Sequence, residues 1–221
     1  MKSTIKRQVL NIAFVGDQRV GKSSIIDLLS TKEVKEKTPT TTKMQTKSAE
    51  VMFPSGDQKI VIMTEIPTIE LQSQSPELIE TDYDLVVACF EHPNDLKRFL
   101  EENFKYLPKY VPRIGLHCKC DREDMQVFMG DGDNDEIAQF GIRKVVESSA
   151  RKREVRDLLS AVYGVIQSPE LGLTGEEFEE LKNFGILGIV SNPWFLGGAG
   201  CLVLISLGLF IFKRVGGKVE K

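Results

Sequence analysis

The chain is poor in the residues that hold metals or cross-link secreted domains: its 221 residues include four cysteines and two histidines. Cys118 and Cys120 form the only close pair, a C-x-C, and so few histidines leave no zinc ligand set beside it. A disulfide framework is excluded on the same ground, and a reducing compartment fits. No cleavable leader is expected from the opening residues. Basic residues open the chain, but Asp17, Arg19 and Lys22 cut short the apolar run that follows, and no small-residue cleavage site appears. The net charge of -3 comes without any Lys/Arg-dense face interleaved with aromatics, so no nucleic-acid partner is expected. Internal repeats are absent.

Charge itself is missing from one long stretch. Residues 183–212 contain no Asp, Glu, Lys or Arg, and PWFLGGAGCLVLISLGLFIF at 193–212 is 20 residues long. At about 1.5 Å per residue this matches the ~30 Å hydrocarbon thickness of a bilayer. The eleven Leu, Ile, Val and Phe between Phe195 and Phe212 favour insertion by on the order of 3 to 6 kcal/mol, before the small residues subtract some. Trp194 would sit at one interface and Lys213-Arg214 at the other. Only KRVGGKVEK follows, so the expectation is a tail anchor inserted after synthesis, with the bulk of the protein in the cytosol. A moderately apolar span flanked by Lys213, Arg214, Lys218 and Lys221 suits the mitochondrial outer membrane; the endoplasmic reticulum and the peroxisome are the alternatives.

The rest of the chain alternates. β-like runs occur at 9–15, 59–64, 85–90, 114–118 and 145–147, and helical patterns follow the first, third and fifth at 23–29, 94–107 and 155–167. That order predicts a parallel sheet with crossover helices. Residues 43–53 and 59–64, joined across Pro54-Ser55-Gly56-Asp57, read as an antiparallel hairpin and complete a six-stranded mixed sheet. Thr174 and Glu177 form a capping box for a short helix leading to the apolar span. Four segments result: a domain at 1–170, a short helix and linker at 171–192, the span at 193–212 and a basic tail at 213–221. Asp131-Gly132-Asp133-Asn134-Asp135-Glu136 reads as a solvated acidic loop, because Glu136 and Ile142 stand where a calcium loop needs Gly and Glu.

Gly16-Asp17-Gln18-Arg19-Val20-Gly21-Lys22-Ser23-Ser24 follows the first strand and opens the first helix, the context of a P-loop. Glycines let backbone N–H groups turn inward around phosphates and the helix N-terminus adds a positive dipole end. Lys22 neutralises the β/γ-phosphates and Ser23 binds Mg²⁺.

Two later stretches resemble the base-binding boxes of Ras-like small GTPases. Cys118-Lys119-Cys120-Asp121 is similar to N-K-x-D, with Cys in place of Asn, and Ser148-Ser149-Ala150-Arg151 is similar to the S-A-K loop. The resemblance implies that Asp121 accepts hydrogen bonds from guanine, that the Lys119 stem covers the base, and that Ala150, between Ser149 and Arg151, offers its N–H to the guanine oxygen. It also implies a switch I threonine on Mg²⁺, for which Thr40 is the first choice and Thr41 the second. The expected fold is therefore the α/β P-loop NTPase of the small-GTPase type, three-layered, with one C-terminal transmembrane helix. The expected cofactors are GTP/GDP and Mg²⁺.

One station departs from the pattern. Where the family has D-x-x-G the chain reads Thr64-Glu65-Ile66-Pro67, and Thr68, Ile69 and Glu70 follow in place of a water-orienting glutamine. Glu65 has two readings, a substitute that approaches the metal and a solvent-facing loop carboxylate. Gln18 and Arg19 also occupy positions that are glycine in many small GTPases. Slow or partner-dependent hydrolysis is the expectation. The P-loop, the altered D-x-x-G and the C-terminal anchor together resemble the Miro group of mitochondrial outer-membrane GTPases, in a short form without EF-hands. That implies protein effectors or adaptors and a role in organelle dynamics or transport. Two classes stay open: a cycling GTPase, and a scaffold of GTPase fold serving as an organelle receptor. A P-loop ATPase or kinase ranks third.

Overall fold

A computed structural model describes residues 9–34, 40–74, 78, 81–121 and 131–183, with 131–134 and 183 described in their backbone only. By contacts the chain divides into Gln8–Phe178 and a second unit of Met1–Arg7 with Glu179–Lys221, of which only 179–183 are described.

The first unit is an α/β domain on a six-stranded sheet in the order β2-β3-β1-β4-β5-β6. Strands β1 (Val9–Val15), β3 (Gln58–Glu65), β4 (Leu85–Phe90), β5 (Arg113–Cys118) and β6 (Val145–Ser148) run parallel, and β2 (Gln45–Met52) pairs antiparallel with β3. The β2–β3 turn closes where the sequence predicts. Phe53 N–H donates to Asp57 O at 2.8 Å, Gly56 N–H to Phe53 O at 2.9 Å, and Gly56 takes φ 83°, which glycine adopts without strain.

Both faces of the sheet are covered, so the central strands read as nearly unbroken apolar runs; every residue of β4 and β5 is buried. Alternation along β1 sends Leu10, Ile12 and Phe14 to one core, with Ile25 and Ile26 of α1 (Lys22–Thr31) and Leu158, Val162 and Val165 from 156–167. Ala13 and Val15 face the other core, with Leu71, Leu96, Leu100 and Ile137. Those residues come from α2 (Thr68–Ser73), α3 (Pro93–Asn103) and α4 (Asp131–Ala138), while α5 (Arg156–Gln167) covers the first face. The last helix is α6 (Gly175–Asn183).

Three expectations change. The pattern over 94–107 is α3 followed by a 3₁₀ turn, Phe104–Tyr106. The six-residue α2 is too short for periodicity to reveal. The acidic stretch at 131–136 is the start of helix α4 and not a loop: a helix start tolerates acidic sequence because its dipole favours negative charge, and Glu136 pairs with Lys97 at 2.7 Å. The capping box stands as read, with Thr174 N–H donating to Glu177 Oε2 and Glu177 N–H to Thr174 Oγ1, each at 3.1 Å. Among the described residues no helix is long and apolar enough to cross a membrane, and the 193–212 span lies outside them.

Candidate functional site

β1 lies between β3 and β4, so the chain leaves it toward one side of the sheet and later fills the other. A crevice opens beyond the carboxyl end of a strand at such a switch point. The residues there are the predicted phosphate loop. Gly16 holds φ 132°, and a Cβ at that position would stand 2.2 Å from the Cys89 carbonyl oxygen, so only glycine lets the loop pass β4. Gly21 at φ 116° caps α1 without a side-chain hydrogen bond. The first intrahelical bond is Ile25 N–H to Gly21 O, which leaves the N–H groups of Lys22, Ser23 and Ser24 without helical acceptors.

Lys22 is 5% exposed, and its Nζ donates to Gly16 O at 2.9 Å and Asp17 O at 2.7 Å. A buried ammonium has three donors to satisfy, and among the described residues two have protein acceptors. The cavity beside it, about 190 Å³, is lined by Gly16, Gln18, Arg19, Gly21, Lys22, Ser23, Ser24, Thr40, Thr41, Glu65, Pro67, Thr68 and Lys119. Two P-loop residues turn elsewhere. Val20 packs in the core, and the Asp17 carboxylate meets Arg98 of α3 at 2.9 Å.

Ser23 Oγ donates to Glu65 Oε2 at 2.7 Å and lies 3.2 Å from Thr41 Oγ1. Thr41, not Thr40, therefore reaches the P-loop serine; Thr40 lines the cavity but is exposed. Glu65 is the carboxylate of this group. As the last residue of β3 it is 5% exposed, so it is neither a solvent-facing carboxylate nor outside the site. Its contact with Ser23 puts the acid one residue beyond Thr64, at the head of Glu65-Ile66-Pro67-Thr68. Thr68 opens α2 behind Pro67, which offers no side-chain cap, so its N–H stands at an uncapped helix start on the cavity wall. Ile69 follows, 69% exposed, where a water-orienting amide would be wanted.

Two hydroxyls and one carboxylate are hard oxygen donors that suit Mg²⁺. Among the described residues no three of His, Cys, Asp and Glu gather to hold a metal ion by themselves. A divalent ion here would need phosphate oxygens to complete its shell.

The second half of the site follows β5 and β6. Asp121 Oδ1 accepts from Ser149 Oγ at 2.7 Å, Arg151 stands 4.0 Å from Oδ2, and the carboxylate is 13% exposed. Ser149 is itself fixed, its Oγ accepting from Lys152 N–H at 3.1 Å. Ala150 is half-buried against the core and Arg151 is largely exposed. Lys119 bridges the two halves: Nζ donates to Arg19 O at 2.5 Å and pairs with Glu91, while its backbone takes φ 59°.

Cys118 is 1% exposed and lies against the loop at 16–23, since a Cβ on Gly21 would stand 3.3 Å from its own Cβ. The neighbouring Cys89 thiol first, then burial, push the Cys118 thiol well above its ordinary range. A neutral thiol is a weak donor that cannot tie two loops as an amide does. Lys119 Nζ, donating to Arg19 O, ties its loop to the one at 16–23, and the Ser149–Asp121 bond joins the loops after β6 and β5. Glu91 went unmarked in the sequence because only the strand register brings it near Lys119. No protein-family model matches this chain, and no curated protein matches it.

Proposed function

We propose that the protein binds GTP and GDP in the manner of a small GTPase. The observation that carries this is the buried Lys22 ammonium beside the uncapped start of α1, facing one cavity, with a braced carboxylate at Asp121 on the adjoining loops. Phosphate oxygens would receive the Lys22 donor and the free N–H groups, while Ser23, Thr41 and Glu65 would hold Mg²⁺ against them. Bound there, the ion would screen the charge of the β/γ-phosphates. Asp121 would read guanine N1–H and its amino group, donors that adenine does not present. The tie to the Miro-type GTPases, the tail anchor at 193–212 and the mitochondrial outer membrane belong to the same proposal and rest on sequence.

The test is direct: purify the full chain in detergent, denature it, and identify any released nucleotide by chromatography, then follow turnover of bound GTP. Guanine nucleotide near one per chain supports the reading, whereas adenine nucleotide or none defeats it. Asp121→Asn should shift preference from guanine to xanthine nucleotides, because an amide presents a donor where guanine needs an acceptor. A mispaired buried donor costs ~1–3 kcal/mol, so guanine affinity should fall about ten- to a hundredfold. Unchanged guanine selectivity would mean that the base binds elsewhere.

A second reading is a static scaffold that holds nucleotide without turning it over. Ile69 favours it, since that exposed aliphatic side chain cannot orient an attacking water. GTP recovered unconverted after prolonged incubation would select it.

A further inference from the structure

The cations on the cavity wall are not equally engaged. Lys22 Nζ is committed to the carbonyls of Gly16 and Asp17, and Lys119 to Arg19 O and Glu91. The third, Arg19, lines the same cavity with an exposed side chain, and among the described residues its guanidinium meets no carboxylate and no carbonyl. Its backbone is held in the left-handed region at φ 65°, and its carbonyl is the acceptor that Lys119 grips at 2.5 Å. Glycine would occupy that conformation without strain; an arginine there carries a steric cost, kept on a loop whose other features point to an anion. A guanidinium presents a planar fork of donors that matches phosphate oxygens, and it lines the same cavity as Lys22 and Lys119.

We propose that Arg19 is a phosphate ligand supplied in cis. Its planar N–H fork donates to the terminal phosphate oxygens of a bound nucleoside triphosphate and neutralises the charge that grows there during transfer to water. The proposal rests on the nucleotide reading of this cavity and extends it: the guanidinium that small GTPases commonly borrow from a partner is carried by the P-loop itself. In the step it assists, a water oxygen bonds to the γ-phosphorus. The bond from that phosphorus to the β–γ bridging oxygen breaks, its electron pair staying on the diphosphate, and the proton of the water passes to a phosphate oxygen.

Arg19→Gly is the informative variant, because glycine fits φ 65° and leaves the Lys119 acceptor in place. The full chain in detergent, its Arg19→Gly form and its Arg19→Lys form are compared by equilibrium affinity for GTP and for GDP, by single-turnover conversion of preloaded GTP, and by thermal midpoint without nucleotide. Arg19→Gly should keep or raise the midpoint. It should bind GTP about tenfold more weakly, with a smaller loss for GDP, and convert GTP on the order of a hundredfold more slowly. Arg19→Lys, which keeps the charge but not the fork, should fall between. An arginine with no ligand role predicts the same kept or raised midpoint for glycine, but with GTP affinity and turnover unchanged. Parent-like affinity and turnover in Arg19→Gly overturn the proposal and leave nucleotide binding standing. So does a parent that binds GTP and never converts it. A parent that takes up no guanine nucleotide removes both.

Discussion

Lys22→Ala is expected to yield a folded chain that no longer loads guanine nucleotide. The reasoning separates what Lys22 does for the fold from what it does for a ligand. In the structure its ammonium is buried against two backbone carbonyls, closing the loop on itself. Replacing it by alanine removes a buried charge together with its hydrogen bonds, and the carbonyls of Gly16 and Asp17 sit beside a cavity that water can enter. The stability change should therefore be small, within about 1–2 kcal/mol. For a polyphosphate the loss is larger. The helix start and its N–H groups remain, but the point charge that faces the β/γ-phosphates goes, and charge-assisted hydrogen bonds are worth ~1.5–3 kcal/mol each. Affinity should fall at least about a hundredfold, below what survives purification. Lys22→Arg should not rescue it, because a planar guanidinium cannot direct its donors at both carbonyls from the same buried volume. Circular dichroism establishes the fold and labelled nucleotide the binding; parent-like uptake by the alanine variant would remove the phosphate loop from the account.

The middle of the sheet was legible in the sequence because its central strands are buried on both faces: 9–15 and 85–90 read as apolar runs, and the structure gives those strands the same limits. The Thr174–Glu177 cap was legible because a capping box is a local arrangement with a fixed spacing. The elements that escaped were short or strongly charged. α2 is less than two turns long, and α4 begins in a run of Asp and Asn whose composition argues for a loop until the helix dipole is considered.

In the site, the phosphate loop could be read because its chemistry sits in consecutive residues. For Glu65 the sequence left two readings, a substitute near the metal and a solvent-facing loop carboxylate, and only the register of β3 against β1, with Phe14 opposite Glu65, brings the carboxylate to Ser23. The choice between Thr40 and Thr41 was a matter of one residue in an irregular segment, where sequence carries no phase. Glu91 and Lys119 are distant in sequence and meet through the packing of β4 beside β5. Contacts that depend on register are what a single sequence conceals.

Glu177→Ala should destabilise the domain by about 3–5 kcal/mol, the cost of leaving a buried charge without its partner. Arg113, at the start of β5, is 1% exposed, and both of its Nη atoms reach the Glu177 carboxylate at 2.7 Å. Nη2 also donates to Pro108 O at 3.1 Å, and the guanidinium stacks 4.8 Å over Phe104. The same carboxylate caps α6 through Thr174 N–H and accepts from Tyr110 N–H at 3.3 Å. One glutamate thus joins the capping box to the core. Burial alone would raise its pKa, but the hydrogen bonds and charge of Arg113, with the backbone donors of Thr174 and Tyr110, outweigh burial and hold it below the ordinary value. The sign of the pH effect follows. A carboxylate with a depressed folded pKa binds fewer protons than the unfolded chain, so its stabilisation is complete above the unfolded value of about 4.3 and disappears as pH falls through the lower folded value. Chemical denaturation should show this acid-limb dependence in the parent and its loss in Glu177→Gln. The pair is not optimal in every respect, for Arg113 Nε finds no acceptor among the described residues. Arg113→Met combined with Glu177→Leu should therefore recover much of what Glu177→Ala loses, since removing both charges leaves none buried alone. A double variant no more stable than Glu177→Ala would show that the helix cap, rather than the ion pair, holds this end of the domain together.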